Sequence, residues 1–319
     1  MAKIYEKIAN TKTISKEAWI ELRKSGIGGS DAGAVVGLNP YSSQYTVYHE
    51  KLSLVEPFDG NDKTRLGTDL EDYVAKRFEE MSGKKVRRLN AVLRSVKRPF
   101  MIADVDRMII GEDAGLECKT TANFDGYKFD EGEYPAYWAC QCYHYLSVTG
   151  AKRWYICVLD LSSGKVSIIL IERVESEITA LEEMEERFWK EHIEKRVCPA
   201  PNGMERCDEI IAEKYPQADE DAPTVDLMGY SKQLERLAIL KTEIKEKETE
   251  KGAIEQELKE ALGTAPMGEY GLYKVSYKNN FSMRLDTKRL KAEMPDIYEK
   301  YANESNTRKF LFNVKKQIN

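Results

Sequence analysis

Apolar positions recur along this chain with two different periods, and the change of period marks its elements. Between residues 66 and 82, Leu70, Val74, Phe78 and Met81 fall on one helical face and Gly83 ends the run. Short runs that alternate or are wholly apolar then predict strands at roughly 86–94, 99–105, 106–111 and 115–119. Pro135 opens a helix that Gly150 closes, and WYICVLD (154–160) with VSIILIE (166–172) reads as a hairpin around Ser162-Ser163-Gly164. A charged helix over 174–196 follows, and short helices around the glycine-rich SGIGGSDAGAVVGLNPYSS precede the whole block from residue 15 to about 52. Helix, antiparallel meander, helix and two more strands predict an α/β fold with a mixed central sheet flanked by helices.

Beyond residue 197 the pattern changes. Residues 198–230 carry four prolines and few large apolar side chains, which reads as a linker or surface excursion. Residues 231–262 are helical and highly charged. Leu237, Leu240, Ile244, Lys247, Lys251, Ile254, Leu258 and Ala261 form a heptad seam with two lysines in its middle, a short coiled coil that Gly263 and Pro266 stop. The remainder predicts a small α+β tail: strand 271–278, a helix near 286–302, and the strand KFLFNV. The organisation expected is therefore a core over 1–197, the excursion at 198–230 and a C-terminal extension over 231–319.

Composition narrows the class. A chain of 319 residues with 42% hydrophobic and 32% charged side chains describes a soluble globular protein with a sizeable core. No apolar run approaches membrane-spanning length, and the first residues lack the apolar stretch of a secretory signal, so a cytoplasmic location without membrane association is expected. The six cysteines, at 118, 140, 142, 157, 198 and 207, have neither disulfide-framework nor metal-finger spacing. His49, His144 and His192 are scattered and read as packing or surface residues.

Net charge is −5, but it is unevenly placed. KKVRRLNAVLRSVKR (84–98) holds seven basic and no acidic residues, and 274–319 holds eleven basic against five acidic, leaving about −11 on the rest. These are either solvated surfaces or two phosphate-facing patches on an acidic body.

The candidate chemistry lies in ADVDRMIIGEDAGLECKTT (103–121), where Asp104, Asp106, Glu117 and Lys119 interrupt strands that should bury side chains. Residues two apart on a strand share a face, so Glu117 and Lys119 point together while Cys118 points away. If the Asp106 and Glu117 strands pair, both carboxylates reach one hard cation, and Lys119 can orient a water or stabilise phosphoryl charge. The bland alternative is a set of exposed polar residues on the wet face of an edge hairpin.

This stretch resembles the PD-(D/E)xK nuclease signature, with ADVD and LECK as its halves. Four further pieces resemble, in order, the lambda-exonuclease-like YqaJ-type viral recombinase family: RKSGIGGSDAGAVVGLNPY, LGTDLEDYVAKRFEE, ACQCYHYLSVTG and WYICVLD. Together they cover about residues 15–195. The first half-motif departs from the usual pattern by reading Asp-Val-Asp, with Asp104 where some relatives carry a serine. The resemblance implies a restriction-endonuclease-like core and a 5′→3′ exonuclease of double-stranded DNA ends, producing 3′ overhangs for recombination by strand annealing. Asp106, Glu117, Glu71 and the backbone carbonyl of Cys118 would bind Mg²⁺, with Mn²⁺ as substitute and two ions in all. Lys119 and Gln141 would complete the catalytic set. Arg23, Ser30, Gly28 and Gly29 would form a pocket for the 5′ phosphate, with Tyr145 one turn beyond Gln141. A single-strand annealing protein and a toroidal homotrimer are the implied partners.

Three residues carry competing readings. Thr68-x-x-Glu71 is also a capping box. Gln141 could face solvent beside a buried tyrosine. The glycine-rich turn could be only a turn, with Ser30 capping the helix 31–36 and Asp31 repelling an anion unless it faces away or caps the helix itself. An internal-cutting or branch-cutting endonuclease of the same fold, a non-catalytic DNA-binding scaffold and a purely structural coiled coil are the functional rivals.

Overall fold

The computed structural model describes residues 3–56, 60–122, 126–303 and 307–314. The chain divides into two compact units, residues 1–215 and 216–319.

The first unit opens with β1 (Tyr5–Ala9), α1 (Lys16–Lys24), α2 (Gly29–Val35), α3 (Gln44–Lys51) and α4 (Asp62–Ser82). Strands β2 (Val86–Arg87), β3 (Val92–Ser95), β4 (Ile102–Asp104), β5 (Arg107–Ile109) and β6 (Ala114–Thr121) follow. Then come α5 (Ala136–Thr149), β7 (Arg153–Asp160), β8 (Val166–Glu172), α6 (Glu175–Phe188) and α7 (Glu205–Lys214). The main sheet has the order β2-β5-β6-β7-β8, with β6 and β7 parallel and its other neighbours antiparallel. A second sheet, β1-β3-β4, is antiparallel throughout. The mixed α/β sheet flanked by helices is thus borne out.

Pleat alternation distributes β6 and β7 between two cores. Ile156, Val158 and Trp154 join α5 residues Trp138, Cys142, Tyr145 and Leu146 in the larger cluster. Leu116, Tyr155, Cys157 and Leu159 instead pack on Val74, Ala75 and Phe78 of α4. Gly115 is required by the first of these layers, because a Cβ there would stand 2.3 Å from the Trp154 ring. Met81, expected on the buried face of α4, is half exposed at the helix end.

Several elements differ from the sequence-based expectation. The strand read at 86–94 is two strands in different sheets, separated where Asn90 takes φ 51°, a left-handed conformation that asparagine tolerates. β1 lies before the first element anticipated. α4 starts at Asp62, capped by Asn61 with Thr64 in reciprocal bonds, so Thr68 lies inside the helix and its hydroxyl bonds back to Thr64 O at 3.1 Å. That removes the capping-box reading of Glu71. The charged helix 174–196 ends as α-helix at Phe188 and widens into a π turn over Trp189–Glu194. Within 198–230 lies α7, whose Cys207 and Ile210 are buried against Tyr45.

The second unit begins with a long helix, α8 (Ser231–Leu262), none of whose residues is buried; its seam residues Ile244, Ile254 and Leu258 are exposed. A hairpin of β9 (Met267–Tyr270) and β10 (Tyr273–Ser276) follows, then α9 (Thr287–Glu293) and α10 (Pro295–Tyr301). The single helix expected at 286–302 is divided because Pro295 starts a new one. KFLFNV is not a strand. Among the described residues no helix is long and apolar enough to cross a membrane, and no cysteine forms a disulfide.

Candidate active site

Strand β6 is central, so its polar residues do not face water as an edge hairpin would. Glu117 is 4% exposed and Lys119 is half-buried, and both point toward α5 while Leu116 and Cys118 face α4. Lys119 Nζ donates to Glu117 Oε1 at 2.8 Å and to Gln141 Oε1 at 2.8 Å. Gln141 Nε2 donates to Glu117 Oε1 at 2.8 Å and to Tyr145 OH at 2.9 Å. The Tyr145 hydroxyl donates in turn to Asp104 O at 3.2 Å. Gln141 and Tyr145, one helical turn apart, are both buried, so the solvent-facing alternative for Gln141 does not hold.

Asp106 sits where β4 passes into β5, opposite β6. Its Oδ2 accepts from the Cys118 backbone N–H at 2.8 Å, which fixes the carboxylate beside Glu117. Burial, and then the negative charge of Glu117, push the Asp106 carboxyl well above its ordinary range. Burial works against the Lys119 ammonium, yet the charge and hydrogen bond of Glu117 hold it above its usual value. The Cys118 thiol, buried and near both carboxylates, is pushed far up and stays protonated.

The donor set fits a divalent cation in one specific respect. Glu117 Oε2 is buried without a hydrogen-bond partner among the described residues. Such an orphaned acceptor is costly unless a cation or water satisfies it. Two carboxylates suffice for Mg²⁺, which keeps waters and takes further oxygens from a phosphate. Among the described residues no three His, Cys, Asp or Glu side chains converge as a ready-made cage.

Glu71 explains part of that. It is drawn to Arg107, whose guanidinium bonds Glu71, Asp72 at 2.5 Å and Asp106 O at 2.7 Å. Arg88 reaches the same acids, at 2.8 Å to Asp72 and 3.5 Å to Glu71. Arg107 is buried, and sequence reasoning did not single it out; a basic residue inside an apolar strand directly after Asp106 was the available signal. Trp19 was also missed. Its indole Nε1 donates to Asp104 Oδ2 at 3.1 Å, giving Asp104 a partner on α1. Lys84, Lys85 and Arg98 of the 84–98 basic run pair with Glu112, Glu79 and Glu182, so part of this run serves intramolecular ion pairs.

A cleft of about 760 Å³ gathers Arg23, Gly28, Gly29, Ser30, Glu71, Asp104, Asp106, Arg107 and Tyr145 on its walls. Glu117, Lys119 and Gln141 are not among its lining residues; Gln141 bonds the lining Tyr145, and the lining Asp106 accepts from the Cys118 N–H between Glu117 and Lys119. At the cleft's other end the glycine turn departs from expectation. Gly28, not Ser30, is the N-cap of α2, and Gly29 is small because of Tyr145: a Cβ at Gly29 would stand 2.4 Å from that ring. Ser30 is exposed and its Oγ accepts from Arg23 at 3.0 Å. Asp31 caps Gly28 N at 2.9 Å and pairs with Lys51 at 2.6 Å and Arg23 at 3.5 Å. Burial alone would raise the Asp31 carboxyl, but Lys51 and then Arg23 bring it down to about 2. Its negative charge is thereby neutralised within the protein rather than presented to the cleft.

His144 is buried and serves the scaffold. Its Nδ1 lies 2.8 Å from Glu185 Oε1 and its Nε2 donates to Ile102 O at 2.8 Å. The pair ties α5 to α6 and to β4.

The sequence matches the YqaJ-like viral recombinase domain over residues 18–152, which spans the cleft residues from Arg23 to Tyr145 and the Asp106, Glu117, Lys119, Gln141 and Tyr145 cluster. It is 34% identical over 309 residues to the uncharacterized protein YqaJ of Bacillus subtilis (strain 168), covering 96% of each chain. Among solved structures it is similar to the alkaline exonuclease LHK-Exo from Laribacter hongkongensis, at 16% identity and TM-score 0.48 over 62% of this chain and 99% of that one. It is also similar to a phage-related exonuclease from Haemophilus somnus 129PT, at 13% identity and TM-score 0.43 over 56% and 100%. On the identity it shares with YqaJ across nearly its whole length, the chain belongs to the YqaJ family, whose domain is that of viral recombinases.

Proposed function

We propose that this protein is a metal-dependent deoxyribonuclease, and specifically a 5′→3′ exonuclease of double-stranded DNA ends that leaves 3′ single-stranded overhangs. One observation carries the reading: the buried Glu117 carboxylate has one oxygen tied to Lys119 and Gln141 and the other unmet, beside the half-buried carboxylate of Asp106. Nothing in a purely structural role requires that orphaned acceptor on a central strand.

Asp106 and Glu117, with the Cys118 carbonyl and Glu71 directly or through water, would hold Mg²⁺ or Mn²⁺, with two ions in the loaded site. Bound there, the metal supplies charge neutralisation and an activated water for phosphodiester hydrolysis. Lys119 stays cationic through Glu117 and lies where it can balance charge on the attacked phosphate. Gln141 holds Lys119 and Glu117 in register, and Tyr145 fixes Gln141 from below. Arg107 sets the position of Glu71. Arg23 and Ser30, with the Gly28–Gly29 backbone, form the end of the cleft suited to a 5′ phosphate. The viral recombinase domain supports a recombination setting; a single-strand annealing protein as partner and a toroidal homotrimer as assembly are part of the proposal.

The test offers the protein linear duplexes with and without a 5′ phosphate beside a closed circle, in Mg²⁺. Degradation of linear DNA alone, faster with the phosphate, is expected. Cutting of the circle would assign an endonuclease instead, and no cleavage with either Mg²⁺ or Mn²⁺ would leave a non-catalytic scaffold.

A further inference from the structure

The C-terminal unit carries a feature that the cleft does not use. Its hairpin and the segment after it read Tyr270, then Tyr273-Lys274, Tyr277-Lys278, Phe281 and Arg284, an aromatic–cation pair repeated at four-residue spacing. Tyr270 and Tyr273 are direct cross-strand partners, and Tyr273 and Tyr277 share strand parity, so the three tyrosines occupy one hairpin face. Tyr277 continues the ladder through its N–H to Pro266 O at 3.0 Å. Tyr270 is 85% exposed, Tyr273 76% and Phe281 93%, while Tyr277, 53% exposed, has the Lys259 ammonium 5.9 Å from its ring centroid.

Charge accompanies them. Residues 267–291 hold six basic against two acidic side chains in a chain whose net charge is −5. Lys274 is paired with Glu269 at 3.0 Å, whereas Lys278, Arg284 and Lys288 make no salt bridge among the described residues.

We infer that the tyrosine face of this hairpin binds single-stranded nucleic acid. Exposed aromatic rings stack on any unpaired base, and interleaved cations follow the phosphate backbone without reading sequence. Duplex bases are already stacked on each other and present no face to such rings. A protein partner fits less well, because interface centres are depleted of lysine and this segment is rich in basic residues. The inference rests on the nuclease reading only for the origin of the strand, which a resected end would supply.

The test uses the full-length protein and a labelled oligothymidylate, read by fluorescence anisotropy with a chelator present so that nothing is cut. Replacing Tyr270, Tyr273 and Tyr277 together by alanine should weaken binding at least about fivefold, since each stacked base contributes through its ring. The triple phenylalanine variant keeps the rings and should bind like the unmodified protein. Cleavage of a blunt duplex in Mg²⁺ should be the same for all three. Alanine-variant affinity within that margin overturns the inference, as does a change in oligomeric mass with affinity intact, which would make the face a protein interface. A parallel loss of duplex cleavage overturns it equally, since the change would then act on the whole molecule. The affinity measurement reads out whether or not the unmodified chain cuts DNA.

Discussion

Gly29→Ala is the smallest change that reaches the candidate site through packing alone. The added methyl would lie 2.4 Å from Tyr145 Cε1, 2.7 Å from Cζ and 3.0 Å from the hydroxyl, where carbon contacts normally settle at about 3.5–4.0 Å. The ring must therefore retreat by about 1 Å. It has little room: the Trp154 ring centroid is 5.1 Å behind it, and Trp154 is itself pressed onto Gly115. Overpacking of this kind costs about 1–3 kcal/mol, and displacing the hydroxyl from Gln141 and Asp104 O adds about 1 kcal/mol per lost bond. We expect roughly 3–5 kcal/mol in all if both bonds are lost. Urea unfolding followed by tryptophan fluorescence measures it in the right place, because all four tryptophans (19, 138, 154 and 189) lie in residues 1–215. The sign should change in a Tyr145→Ala background. With the ring gone, the same substitution only replaces a helical glycine and should be neutral or stabilising by up to about 1 kcal/mol. Equal costs in both backgrounds would refute the argument that the glycine is there for the tyrosine.

Two further predictions concern buried charge. His144→Ala leaves Glu185 buried without its partner and should cost about 3–5 kcal/mol in urea unfolding. Burial pulls the His144 imidazole down, but Glu185 and the Ile102 carbonyl take it above its ordinary value. Its stabilisation is therefore complete below about pH 6.5 and is lost as pH rises through the folded-state value, a limb the variant should lack. Asp31→Ala leaves Lys51 buried and should cost a similar 3–5 kcal/mol, about as much as breaking any buried pair. Because the Asp31 carboxyl is lowered to about 2, its contribution is present above about pH 4 and lost as pH falls toward 2. Acid titration of stability should be correspondingly shallower in that variant.

Strand alternation carried most of what the sequence revealed about the site. A period of two put Glu117 and Lys119 on one face and Cys118 on the other, and β6 is built that way because Leu116 and Cys118 have α4 to pack against. The four-residue step from Gln141 to Tyr145 likewise put the two on one helical face, where they prove to be hydrogen-bonded. What stayed hidden depends on contacts between distant segments. That Gly29 accommodates Tyr145, that Asp31 is neutralised by Lys51, and that Arg107 holds Glu71 require α2 to meet α5 and α3, and α4 to meet β5. The start of α4 was missed by four residues because Asn61 and Thr64 cap it, whereas Thr68 and Glu71 merely imitate that pattern about two turns later.

The central claim is that Asp106, Glu117 and Lys119 form a metal-dependent catalytic centre. Its most direct test is the rate at which a linear duplex is degraded in Mg²⁺ by the unmodified protein, by Glu117→Gln and by Lys119→Ala, each first shown to keep its cooperative unfolding. The account predicts degradation by the unmodified protein that a chelator stops, and a loss of at least about a hundredfold in each variant. Degradation that survives both substitutions would contradict it.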